Sequence, residues 1–366
     1  MQLRNVSSAW ILPILYWALG ALATGSSWAQ NTGGTATPSV EAHIGVLLPL
    51  QSSSFAKHAE AVRLGILAAA ALEAGAPRMR IYTTDDDPQQ ILSAYNRAVS
   101  LGARLIIGPL TRSGVTTLVY NGATSVPTIA LNSPEGDVVL PRDFYVFGLQ
   151  IEAETRQLAN WAFRKGGNRV FLVIGESSLG TRIAQAFENE WKSLRGEVVG
   201  QFGYTTDMAS LAKLREQIVA SRADVIFTTL DAERTRFLRG FLGKSMPVYA
   251  TSQVFAFAND AIGNIDLDGV RFLDMPWLLQ PDHSAVMSYQ RADPRPWAPD
   301  LERLFALGID AYRIALGLLR PRQHMDSLDG VTGVITFGEN RQFERQLVPA
   351  HYARGTARLL DSQDAQ

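Results

Sequence analysis

The chain has 366 residues, 46% of them hydrophobic and 19% charged, with 34 basic side chains against 35 acidic ones. That length suits one large domain or two of ordinary size, and the apolar fraction is too high for a disordered chain. Balanced charge gives no general drive toward nucleic acid, and the absence of cysteine removes disulfides, thiolate metal sites, sulfur nucleophiles and lipid attachment through sulfur.

Arg4 is the only charge before Glu41. An apolar run from Ala9 to Ala23 follows it, broken only by Pro13 and Gly20, and Ser27-Trp28-Ala29 then places small residues at −3 and −1 of a cut before Gln30. The run is shorter than the roughly 20 residues needed to span a bilayer, so residues 1–29 read as a cleaved secretory signal peptide rather than an anchor. Residues 30–42 read as a flexible leader of Gly, Thr, Ser, Ala and Pro.

Short β-branched runs then alternate with amphipathic stretches. Ile44 to Leu48 is the first predicted strand, and Phe55, Ala59, Val62, Ile66 and Ala69 form one apolar helix face. Strands are expected at Arg80–Thr83, Leu105–Ile107 and Val126–Ala130, with a helix opened by Asp87 as N-cap and Pro88 at N1. The cycle repeats with a helix at Glu152–Lys165, a strand at Val170–Ile174 and a helix carrying Leu179, Ile183, Phe187 and Trp191. Glu197–Phe202, Val225–Phe227 and Val248–Ala250 are further strands, with helices at Leu211–Val219 and Arg236–Leu242. After a short strand at Val270 come a Pro-rich stretch (Pro276, Pro281, Pro294, Pro296, Pro299) and a long helix from Leu301 to Leu319. In that helix Asp310 is expected to pair with Arg313 on the surface, which is worth little. Gly330 to Leu360 reads as short antiparallel strands. Apolar strands between helices indicate two doubly wound parallel-sheet lobes in an α/β fold, with the chain crossing between them more than once. We assign residues 43–147 with 274–325 to one lobe, 148–273 with 326–360 to the other, and 361–366 to a tail.

In open α/β sheets ligands collect beyond the carboxyl ends of the strands. Ser53, Thr111, Arg112, Ser113, Asn132, Ser133, Ser177, Thr251 and Ser252 fall at such positions, where hydroxyls and one guanidinium suit an anionic or zwitterionic ligand. Each of these residue types also caps helices and turns in any α/β protein. Asp274 and Trp277 lie at a lobe crossover, as interlobe packing or a partner surface. Asp85-Asp86-Asp87 is read as a helix cap with two solvated neighbours, not as a metal cup. A polar cleft with the hydroxyls and Arg112 converging favours a small-molecule receptor; a collapsed or apolar one favours a scaffold.

No enzyme motif survives inspection. No two glycines stand one residue apart, so the dinucleotide fingerprint is absent, and Gly243-Lys244-Ser245 has Leu238 where a P-loop needs glycine. Gly175 to Gly180 departs from a nucleophile elbow by one residue, and the five histidines are scattered. No metal or cofactor is expected.

Several phrases together narrow the reading. They are IGVLLPL at Ile44–Leu50, LIIGPL at Leu105–Leu110, GTRIAQAFENEW at Gly180–Trp191 and PVYATS at Pro247–Ser252, followed by LDGVRFLDMPWLL at Leu267–Leu279, RLFALGIDAY at Arg303–Tyr312 and GVTG at Gly330–Gly333. In this order the chain resembles, from about His43 to Leu360, the C-terminal module of the LppC family of penicillin-binding protein activators. The resemblance implies a type I periplasmic-binding-protein-like fold. It also implies a periplasmic protein that binds a class A penicillin-binding protein and stimulates peptidoglycan synthesis without doing chemistry. The alternative is a solute-binding receptor for an amino-acid-like ligand of an ABC transporter. Longer family members carry a lipobox cysteine and an N-terminal helical-repeat domain. This chain has no cysteine, and with only residues 30–42 between the predicted signal peptide and the first predicted strand neither that anchor nor that domain is expected here. The expected location is therefore the periplasm, with the outer membrane or wall reached through partners and no membrane span in the mature protein.

Overall fold

The computed structural model describes residues 41–122, 124–136, 138–257, 261–289, 297–320 and 327–360. The predicted signal peptide, the leader up to residue 40, Pro294, Pro296 and the tail lie outside them. Two sheets are wound in the same order. The first comprises β1 (His43–Leu48), β2 (Met79–Thr83), β3 (Ala103–Ile107), β4 (Thr128–Ala130) and β5 (Phe144–Val146), all parallel in the order β2-β1-β3-β4-β5. Helices α1 (Ala56–Leu72), α2 (Pro88–Ser100) and α3 (Arg112–Tyr120) connect its strands. The apolar stripe of α1 is buried from Ala59 through Val62 and Ile66 to Ala69, while Phe55 stands at the N-cap and stays exposed. Asp87 caps α2, accepting from the Gln90 N–H at 2.9 Å.

The second sheet follows α4 (Ile151–Arg164). It contains β6 (Arg169–Ile174), β7 (Glu197–Gly203), β8 (Val225–Thr228), β9 (Val248–Ala250) and β10 (Val270–Asp274), with α5 (Ser178–Ser193), α6 (Met208–Ser221) and α7 (Ala232–Leu242) between them. Its parallel part runs β7-β6-β8-β9-β10, repeating the first winding. The chain then makes α8 (Pro276–Leu279), α9 (Ser284–Met287) and the long α10 (Pro299–Leu319). A separate antiparallel sheet of β11 (Ser327–Gly330), β12 (Gly333–Phe337) and β13 (Phe343–Gln346) comes next. Finally β14 (Val348–Ala353) and β15 (Thr356–Leu359) add two antiparallel strands beside β10. Among the described residues no helix is long and apolar enough to cross a membrane.

Helix α10 ties these parts together. It lies so close to α1 that a Cβ on Gly308 would stand 2.2 Å from the Val62 carbonyl oxygen, and one on Gly65 would stand 1.9 Å from that of Phe305. It also buries three charged residues, Glu302, Arg303 and Asp310. Each holds different segments. Glu302 accepts from the Trp277 indole at 2.7 Å and the Trp297 N–H at 3.0 Å. Arg303 donates to both oxygens of Asp274, at 3.1 and 2.7 Å, and to the Ser252 carbonyl at 2.8 Å. Asp310 accepts from the N–H of Val331 (3.2 Å) and from the N–H and hydroxyl of Thr332 (2.8 and 2.7 Å). The surface pair expected for Asp310 is therefore corrected. Arg313 does approach at 3.0 Å, but Asp310 is 0% exposed, and burial pushes its carboxyl pKa up. A carboxylate taken out of water needs several donors to hold it, and the turn at Val331–Thr332 supplies them.

Candidate functional site

The loops beyond the carboxyl ends of both sheets face one open cleft of about 1080 Å³. From the first sheet come Arg112, in the opening turn of α3, and the Asn132–Pro134 segment after β4. The second supplies the start of α4, Ser252 after β9 and Asp274 at the end of β10. The start of α10 and the β12–β13 connection complete the wall. The first strand of each sheet has its neighbours on either side wound in opposite directions, which opens a crevice at that end.

The cleft base is held by the protein's own charges. Arg303 and Asp274 form a buried bidentate pair, and Asp300 adds a contact to Arg303 at 2.8 Å. Beside it Glu154 of α4 accepts from the Ser252 N–H at 2.5 Å and the Ser252 hydroxyl at 2.9 Å. Because Arg303 belongs to α10, which packs on α1, while Asp274 ends β10 and Ser252 follows β9 of the second sheet, the pair clasps the two layers. Burial dominates at Glu154 and, reinforced by nearby Asp274, pushes its pKa up to about 7. The unfolded chain loses that proton near 4.5 and the folded protein keeps it until about 7. Stability should therefore fall as pH rises from 4.5 to 7, by about 3 kcal/mol in total, and then level off. Urea midpoints across that range should show the slope in the parent and not in Glu154→Gln. Equal slopes would place the titration elsewhere.

Only some residues singled out in the sequence meet here. Arg112, Asn132, Ser133, Ser252 and Asp274 line the cleft; Ser53, Thr111, Ser113, Ser177, Thr251 and Trp277 do not. The reason is helix capping. Thr111 caps α3 through the Gly114 N–H and takes the Ser113 hydroxyl; Ser177 caps α5 through Gly180. Ser53 is exposed before α1, where Ser52 makes the turn by accepting from Ser54 and Phe55. Thr251 is fully buried. Asn132 donates to the Leu110 carbonyl, and Arg112 lies 3.9 Å from Glu152 and 3.3 Å from the Pro134 carbonyl. Asp274 and Trp277 are both 2% exposed, so neither presents a partner surface. The cleft is thus open and polar, but its strand-end hydroxyls do not converge. Among the described residues no group of three or more acidic or histidine side chains is arranged to hold a metal.

The family model described as "LppC putative lipoprotein" matches residues 38–224 and 214–355, which takes in both wound sheets. The chain belongs to the LppC family. A protein of Glaesserella parasuis named penicillin-binding protein activator LpoA is 26% identical over 289 residues, covering 77% of this chain and 49% of that relative. The chain spans about half the length of the curated LppC relatives it matches. Among solved structures, a Chromobacterium violaceum protein described as a "putative branched-chain amino acid ABC transporter" is 36% identical, with a TM-score of 0.72 over 85% of this chain and all of that one. The C-domain of Haemophilus influenzae LpoA, described as a regulator of PBP1A, shares the fold at 20% identity, with a TM-score of 0.71 over 87% of this chain and all of that one. The winding of this LppC member is that of the type I periplasmic binding proteins.

Sequence reasoning missed Glu154, Arg303 and Arg345 of this LppC cleft. One signal was available. Phe343, Arg345 and Leu347 alternate along β13 and its end, with Phe343 and Leu347 buried, so period two puts an arginine at an inward position.

Proposed function

We propose that this chain is a periplasmic recognition module that binds a class A penicillin-binding protein and raises its peptidoglycan synthesis, doing no chemistry itself. The observation that carries the reading is the family match, two overlapping stretches that together cover residues 38–355, beside relatives named penicillin-binding protein activators. The clasp between Arg303 and Asp274 supports it, because it fills the cleft base with internal ion pairs and suits a fixed surface better than a shutter. Immobilised mature protein should bind a class A synthase of its host saturably. Failure to bind any of them would end the proposal.

A second reading, a receptor for an amino-acid-like ligand of an ABC transporter, is favoured by the 36% identical Chromobacterium protein and by the open polar cleft. A ligand at 100 times its dissociation constant would add about 2.7 kcal/mol to stability. Leucine, isoleucine and valine should add nothing measurable if the module serves a synthase.

A further inference from the structure

We propose that the cleft is a binding site for an oxyanion, a carboxylate or phosphoryl group of a larger molecule, held chiefly by Arg156 and Arg345. This goes beyond engagement of a synthase and stands or falls separately from it.

Six arginines line the cleft against four carboxylates, although the whole chain has a net charge of −1. The carboxylates are already engaged. Asp274 and Asp300 serve Arg303, and Glu154 takes both donors of Ser252. Glu152 is bound by Arg182, which leaves Arg112 at 3.9 Å. Arg341 spends one nitrogen on the carbonyls of Leu140 and Pro141, which carry no net charge.

Two guanidiniums are left over. Arg156, on the exposed side of α4, makes no side-chain hydrogen bond or ion pair with any described residue. Arg345 occupies the inward register position between Phe343 and Leu347, and its guanidinium reaches only the Thr332 carbonyl, at 3.5 Å. Burial lowers its pKa, outweighing the raising influence of the nearby Glu154, Asp274 and Asp310 carboxylates, with none of which it forms a hydrogen bond. Such a group is stabilised by whatever anion enters beside it, and the planar fork of N–H donors matches the paired oxygens of a carboxylate or phosphate. A zwitterion fits less well, because of the cleft carboxylates only Asp300, whose side chain is 80% exposed and bonds Arg303 through one oxygen, is open to its ammonium group. The cleft volume of about 1080 Å³ exceeds that of a simple ion and suits a molecule carrying the anionic group as one end.

Calorimetric titration of the full mature chain with sodium citrate and with sodium pyrophosphate, at constant ionic strength set by chloride, tests the site. At least one should bind saturably at one site per chain, citrate in preference for a carboxylate ligand and pyrophosphate for a phosphoryl one. R156Q and R345Q should each weaken binding at least tenfold, while R215Q, on the exposed face of α6, should leave it unchanged. Arg156 is exposed, so R156Q decides the matter alone if R345Q fails to fold. The proposal is overturned if neither anion binds above the chloride background, or if R215Q costs as much as R156Q, which would mean diffuse screening.

Discussion

Replacing Arg303 by methionine should lower the free energy of unfolding by about 3–5 kcal/mol, the usual penalty for removing one partner of a buried ion pair. Asp274 is 2% exposed and takes two bonds from Arg303, so the substitution leaves a buried carboxylate beside Glu154 with only the Met275 N–H still donating to it. The Ser252 carbonyl loses one of its two donors in the same step and keeps the Phe255 N–H at 2.9 Å. The effect should appear as a lower urea midpoint with an unchanged slope. Adding Asp274→Leu should recover much of the loss, because a buried pair replaced whole by apolar residues is often neutral. A loss below about 1 kcal/mol for the single variant would mean that water reaches the pair and that the layers are not clasped there.

The second large effect is steric. Gly308→Ala should destabilise the protein by about 3 kcal/mol or more, because its new Cβ would stand 2.2 Å from a backbone oxygen of α1 and neither helix can yield without separating. The opposite sign is expected at Gly240 in α7, where a Cβ meets nothing nearer than the Asp266 carboxyl at 4.0 Å. There alanine should add about 0.5–1 kcal/mol through helix propensity. Thermal melts of the two variants decide the point. Similar shifts in both would show that α1 and α10 are not in backbone contact.

The parallel strands and most helices were legible because buried strands read as continuous apolar runs and α1, α4 and α5 carry apolar stripes. Helix α3 was not: Ser113, Gly114, Val115, Thr116 and Thr117 are all poor helix formers, and the helix rests on the Thr111 cap and the burial of Val115 and Leu118. Strand β5 is three residues long, too short to show a period. The cleft was legible only in part. Strand-end hydroxyls were visible, but capping and ligand binding demand the same residue types, and only the fold shows that Thr111 and Ser177 serve helices. The buried partners come from distant segments, Ser252 lying 51 positions from Arg303 and 98 from Glu154, so no local spacing announces them. Asp310 was misread for a related reason. Its neighbour Arg313 is a local partner that spacing reveals, whereas Thr332 is a remote one that only folding supplies.

The most direct test of the account is the rate at which a class A penicillin-binding protein polymerises glycan strands from its lipid-linked precursor, with and without a saturating amount of the purified mature chain. The account predicts a faster rate with the chain present and no product from the chain alone. An unchanged rate with every class A synthase of the host, or product formed by the chain without a synthase, would contradict it.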